Sequence, residues 1–286
     1  MNPIALNLNT WGLALLTVGF FLLVCHLGLW ASYRFFPRAR FGEDSTDPAA
    51  LYITIIGLIF ALIFALDITA VWANYDQVCD VVSKEADNLN TIYRNLDAYP
   101  EAFREPVQAR LKAYADRLVH VEFPLLAEGR NGGEPAARQM IAEIDRQITG
   151  YQVADAAEKP LHRQMLRLLA EGRALRAQRL EGAEPYLGPP MWISLVLGTV
   201  LVMVFSCLFN MPGRRQHYLM HASLAASVGV VFLLLVAYNA PFRGPGAITS
   251  DDMRMLSEKM WLPGTPLTEG QAAPVASALR RNAWKS

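Results

Sequence analysis

Apolar residues in this chain gather into four long runs, and between the second and third runs they recur every third or fourth position instead. The runs span 11–33, 51–72, 191–211 and 219–238. A helix crossing a ~30 Å hydrocarbon core needs about 20 residues, so each run is long enough to span a membrane. The first run carries no charge and the second carries only Asp67. Trp11, Trp30, Trp72 and Trp192 lie near the run ends, where amphipathic rings favour the headgroup zone. The pattern predicts four transmembrane helices.

The polar interlude reads as helix. Val78, Val82, Leu89, Tyr93 and Leu96 form one helical stripe, and Val107, Leu111, Tyr114, Leu118 and Val121 a second. Met140, Ile141, Ile144 and Ile148 make a third, and Leu161, Met165, Leu168, Leu169 and Leu175 a fourth. Breaks fall at Pro100, at GRNGG (129–133) and at 152–160. No breaker separates the second span from the first stripe, so 51–99 reads as one rod of about 70 Å. The predicted fold is an all-α integral membrane protein of four transmembrane helices, with a helical bundle inserted between the second and third. Its parts are the first two spans (1–75), the bundle (76–188), the last two spans (189–240), and a Gly/Pro-rich tail (241–286) with a short amphipathic segment at 251–261.

Composition agrees: of 286 residues, 53% are hydrophobic, too many for a polar domain alone. The formal net charge is zero, which removes the basic field a nucleic-acid partner would need. Cys25, Cys79 and Cys207 are dispersed and offer neither a disulfide framework nor a CxxC metal site. The opening MNPIALNLNT lacks a basic n-region and a cleavage site, so the first run is expected to be retained. His217 and His221 share a helix face beside arginines and no acid, a poor zinc site. No nucleophile elbow, phosphate loop or dinucleotide fingerprint occurs. The expectation is a non-enzyme without catalytic residues, metal or cofactor, whose partners are the lipid bilayer, further copies of itself and small inorganic ions.

Arg34, Arg38 and Arg40 mark the first short loop, and Arg214 and Arg215 the second. The positive-inside rule places both loops in the cytoplasm and the bundle outside a cell (inner) membrane. Arg173, Arg176 and Arg179, near another membrane end, weigh against it.

Ile53, Gly57, Phe60, Phe64, Asp67 and Val71 recur at heptad spacing along the second span. Such a seam packs helix on helix, or in an oligomer lines an axis. On the second reading Phe60 and Phe64 form a constriction that gates by dewetting, with Asp67 a ring of charge at its mouth. On the first, Asp67 is a wetted carboxylate near the interface. Ala222, Ala225, Ala226 and Gly229 are small residues that let helix backbones approach.

DQVCDVVSKEADNLNTIYRNL (76–96), above all Glu85, Ala86, Leu89, Tyr93 and Arg94, resembles the bestrophin-like family of bacterial membrane proteins. So do AYADRLVHVEFPLL (113–126) and the turn with Pro241, Phe242 and Gly244 in YNAPFRGPGAIT. The likeness covers roughly 50–255. It implies a pentamer, an apolar neck on the second span at Phe60 and Phe64, anion conduction and a cytosolic bundle. The acidic run that binds calcium in bestrophins is missing; only Asp251 and Asp252 follow the turn. The expected function is a homo-oligomeric ion channel lined by the second span. The alternative is a non-conducting sensor or scaffold whose bundle binds a partner.

Overall fold

The computed structural model describes residues 10–35, 43–130, 132–153, 155–156, 158–209 and 213–255, with side chains from 48 onward in the second helix. Arg38, Arg40, residues 210–212 and the tail from 256 lie outside the described residues. The described elements are helical, with no strand among them, and four are long and apolar enough to cross a membrane. The chain divides into two compact units, residues 1–74 with 185–239, and 75–184 with 240–286.

The first unit holds α1 (Thr10–Phe35), the opening half of α2 (Glu43–Asn95), α7 (Pro189–Cys207) and α8 (Arg214–Tyr238). α2 starts upstream of the predicted 51 and runs through Pro48. α7 opens on Pro189 and Pro190, in the first turn, where a missing N–H removes no helical bond. It stops at Cys207, short of the predicted 211. α1 and α8 approach closely: a Cβ built at Gly229 would stand 2.8 Å from Val18 Cα, and Ala225 is fully buried. Phe21, Phe64, Val71, Leu195, Phe232 and Leu235 form the apolar core. Asn239 closes α8 by accepting Leu187 N–H at Oδ1 (2.7 Å) and Tyr186 N–H at its carbonyl (2.9 Å).

The second unit is the bundle. The last turns of α2 run into a 3₁₀ turn at Leu96–Ala98, followed by α3 (Glu101–Arg117), a π-helical turn (Leu118–Glu122) and α4 (Phe123–Ala127). α5 (Pro135–Thr149) and α6 (Lys159–Glu181) complete it. The predicted stripes supply the core: Val78, Val82, Leu89, Leu96, Val107, Leu111, Leu118, Ile144, Ile148, Met165 and Leu169 are buried. Side-chain bonds give the order around the bundle. Gln108 to the Tyr93 carbonyl joins α3 to α2, and Arg117 with Glu134 joins the end of α3 to the cap of α5. Arg173 with Asp145 joins α6 to α5, and Asn88 to the Leu168 carbonyl joins α2 to α6. α3 and α6 are therefore diagonal, linked across the core by Arg176 and Tyr114 at 2.7 Å.

Candidate functional site

α2 presents two faces in the first unit. The heptad seam is the packed one. Phe60 and Phe64 meet edge to face at 4.9 Å, and Phe64 meets Phe232 of α8 at 5.3 Å. Phe60 also fills the space left by Gly198 on α7. Phe64 and Asp67 are only 7% and 9% exposed within a single chain, and Val71 is buried. Ile53 is half-buried and Gly57 faces open space. Asp67 shares this packed side with an apolar cavity of about 130 Å³ bounded by Ile68, Val71, Trp72 and three residues of α8. The seam is thus engaged by α7 and α8 of the same chain.

The opposite face is bare. Leu58, Leu62 and Leu66 stand four residues apart and are 71%, 62% and 63% exposed. Leu51 and Ile55 precede them on that side. In the second unit the same helix exposes Asp76, Asp80, Lys84, Asp87 and Arg94. At 3.6 residues per turn these positions share one side of this half of α2. Lys84 pairs with Asp80 at 2.6 Å, which leaves Asp76 and Asp87 against Arg94, one net negative charge on this side.

The motif residues of 76–96 divide by the same periodicity. Ala86 and Leu89 enter the bundle core, Tyr93 packs at its edge under Lys112 Nζ (5.4 Å), and Arg94 is exposed. Glu85 is buried in an ionic network that the sequence reading missed. It accepts Arg179 Nε at 2.5 Å and Nη2 at 3.2 Å. Arg179 Nη2 also reaches Glu122 at 2.7 Å, and Arg176 Nη2 binds the other Glu122 oxygen at 2.7 Å. Two guanidinium groups thus face two carboxylates, as buried charges require. Burial opposes the Arg179 charge, but Glu85 and Glu122 hold its pKa above the ordinary arginine value. Burial, reinforced by Glu85, likewise raises the Tyr114 phenol.

Glu122 enters this network through the π-helical turn. Regular periodicity points Val121 inward; the wider turn buries Glu122 and leaves Val121 half-exposed. Glu122 also accepts the Glu134 N–H at 3.1 Å. Glu134 caps α5 by accepting Ala137 N–H (2.6 Å) and takes a two-pronged grip from Arg117 (2.7 and 2.8 Å). Arg176 and Arg179, counted from sequence as membrane-end charges, are core residues. Their spacing from Met165, Leu169 and Gly172 was the available signal.

Pro241 and Phe242 are buried. Phe242 packs on Phe123 at 5.7 Å, and Phe123 lies beneath the Arg179 guanidinium at 5.2 Å. Gly244 adopts φ +84°, a conformation that favours glycine. It lets the chain turn so that Ile248 N–H reaches the Pro241 carbonyl at 2.8 Å. Asp252 accepts Ser83 Oγ and Asp251 accepts Thr249 Oγ1. Among the described residues no group of three or more His, Cys, Asp or Glu side chains is placed to hold a metal ion.

In the first unit, His217 and His221 are both buried and each is hydrogen-bonded at both ring nitrogens. His221 meets Cys25 Sγ (2.7 Å) and Ser206 Oγ (3.1 Å), and His217 meets Tyr33 OH (3.0 Å) and the Ser206 carbonyl (3.3 Å). They fasten α1, α7 and α8 together. His26 bonds the Leu22 carbonyl of its own helix rather than a neighbour.

A family model described as Bestrophin-like domain matches residues 19–253. No curated protein matches the chain in sequence. A bacterial bestrophin homologue from Klebsiella pneumoniae is similar in structure, with TM-score 0.64 at 11% identity, covering 86% of this chain and 96% of that one. A point variant of that homologue gives TM-score 0.65 at 10% identity over 86% and 97%. A structure described as a membrane protein variant gives 0.64 at 12% over 86% and 97%.

Proposed function

The chain belongs to the bestrophin-like family of membrane proteins, and from that premise we propose that it is a homo-oligomeric channel for small inorganic ions in the cell (inner) membrane, with a pore lined by α2. One observation carries the reading: in each unit α2 keeps a side uncovered, apolar at Leu58, Leu62 and Leu66 in the first and charged at Asp76, Asp80, Lys84 and Asp87 in the second. Of the four spans, α2 is the least covered by its own chain, with 11% of its most apolar window buried against 22–28% for the others. A helix left so bare in one chain has room for further copies, and a pentamer is the assembly that the family likeness suggests.

Two rows of α2 compete for the axis. The seam of Ile53, Gly57, Phe60, Phe64, Asp67 and Val71 is largely engaged by α7 and α8. The leucine row is free of such contacts, which supports Leu58, Leu62 and Leu66 as the apolar constriction that gates by dewetting. The acidic positions beyond it favour cations. Native mass spectrometry in nanodiscs followed by planar-bilayer recording tests the reading. A closed ring is expected, with ionic currents that rise when Leu62→Ala widens the constriction and keep their unitary size in Phe64→Ala. A monomer or dimer, or a ring without current, would end the channel reading. Currents that respond to Phe64→Ala and not to Leu62→Ala would put the seam on the axis.

A further inference from the structure

The bundle carries opposite charge on two of its flanks. On α6, Lys159, Arg163 and Arg167 are exposed at four-residue spacing. They point away from the core side marked by Met165, Leu169, Arg176 and Arg179. Ala170, Ala174 and Ala177 continue the same row as a smooth surface. On α3, Glu101 and Glu105 are exposed on the side opposite Val107, Leu111 and Tyr114, and Asp97 stands just before them. Gln108 holds Asp97 at 2.9 Å. No ion pair within the described chain engages any of these three bases or three acids.

The bundle order makes these two flanks distinct. α3 and α6 are the diagonal helices and each adjoins α2. Tyr99 OH lies 3.1 Å from His162 Nδ1, so the start of α6 and the α2–α3 corner occupy the same end of the bundle. If the outer side of α2 faces an axis, α3 and α6 form the two flanks that neighbouring copies present to each other. Rotation about that axis involves no shift along it, so flanks at one level meet. A head-to-tail contact between two different surfaces closes into a ring.

We propose that copies of this chain join through that contact, the basic row Lys159, Arg163 and Arg167 of one copy against Asp97, Glu101 and Glu105 of the next. The proposal rests on the oligomeric reading given above and adds which surfaces meet. It also gives the α6 alanines a role: they let the neighbouring helix approach closely beside the charged contact. Opposed charges of this kind fix the register of assembly and suppress wrong pairings.

Full-length protein in detergent at low salt, followed by native mass spectrometry, provides the test. The triple variant K159E/R163E/R167E is expected to need a roughly tenfold or higher protein concentration to hold the ring, because like charges then oppose one another across the contact. E101K/E105K should weaken the ring in the same way. Combining all five substitutions should restore it, which loss of fold would not. In a Cys79→Ser background, R163C with E101C should form an oxidised ladder of chains up to the ring size. A wild-type ring that the triple variant leaves unchanged overturns this inference alone, as do a combined variant that stays dissociated and a cysteine pair that closes only within one chain. A wild-type protein with no ring overturns the channel reading as well.

Discussion

Arg179 is completely enclosed, with Glu85 and Glu122 on its donors and the Phe123 ring on its face. Arg179→Met should therefore destabilise the bundle by about 3–5 kcal/mol, because it leaves Glu85 buried without its guanidinium partner and Glu122 with Arg176 alone. Thermal unfolding measures the loss. Adding Glu85→Leu should recover part of it, and a double-mutant cycle would report the coupling. Glu134 supplies a second residue-scale test, this time in pH. Arg117 first, then the backbone N–H groups of α5, hold its carboxyl down at about 2. A lowered carboxylate pKa contributes stability that is complete above the unfolded value of about 4.3 and is lost as pH falls toward the folded value. Wild type should soften between about pH 4.3 and 2, and Glu134→Gln should flatten that part of the melting-temperature profile. Glu85 was visible in the sequence as a motif residue, but its partners were not. Arg176 and Arg179 share a helical face with Met165 and Leu169, yet charge alone had assigned them to a membrane end. Glu122 gave no signal, because the π-helical turn moves the inward position by one residue, from Val121 to Glu122, and nothing in the residue types marks where that turn falls.

Element length was the most legible property, since an apolar run of membrane-spanning length has few alternatives. The ends were harder: α2 passes through Pro48, and α7 stops before the apolar run does. The seam illustrates a different limit. Heptad spacing marks a face that packs, but it reads the same whether the partner is α8 of one chain or α2 of another. Only the placement of Phe232 and Gly198 beside Phe64 and Phe60 separates the two. Glycines on two spans turn this into a contrast. At Gly229 a Cβ would meet the Val18 backbone, so Gly229→Val should destabilise the α1–α8 pair by roughly 1–3 kcal/mol through overpacking. At Gly57 nothing lies within 4 Å, and Gly57→Ala should be neutral or stabilise α2 by up to about 1 kcal/mol through the better helix propensity of alanine. Heat-induced aggregation of the detergent-purified variants compares them directly. Equal loss at both sites would mean that neighbouring copies fill the space beside Gly57.

In the channel proposed above, the sign of the permeant ion would depend on charge that faces the conduction path rather than on total charge, which is zero. A ring of Asp67 would favour cations where the family likeness implies anions, but Asp67 sits on the packed side of α2 and is almost enclosed. The outer side supplies the stronger argument. Between 76 and 87 it carries three aspartates against one lysine. Arg94 on the same side offsets one of these charges, and the one net negative charge left per copy, repeated around an axis, attracts cations and repels anions over a Debye length of about 10 Å at 0.1 M salt and about 30 Å at 0.01 M. Selectivity set this way must sharpen as salt is diluted, whereas selectivity set by a dehydrated constriction at the leucine row should not. Reversal potentials in a fixed KCl gradient, repeated at both ionic strengths, distinguish these cases. The wild type should favour potassium more strongly at 0.01 M, and Asp76→Asn with Asp87→Asn should move the reversal potential toward zero there while changing it little at high salt. Asp67→Asn should leave it in place. If the double variant keeps the wild-type potential at 0.01 M, the acidic row does not face the permeating ion and the path must be sought along another side of α2.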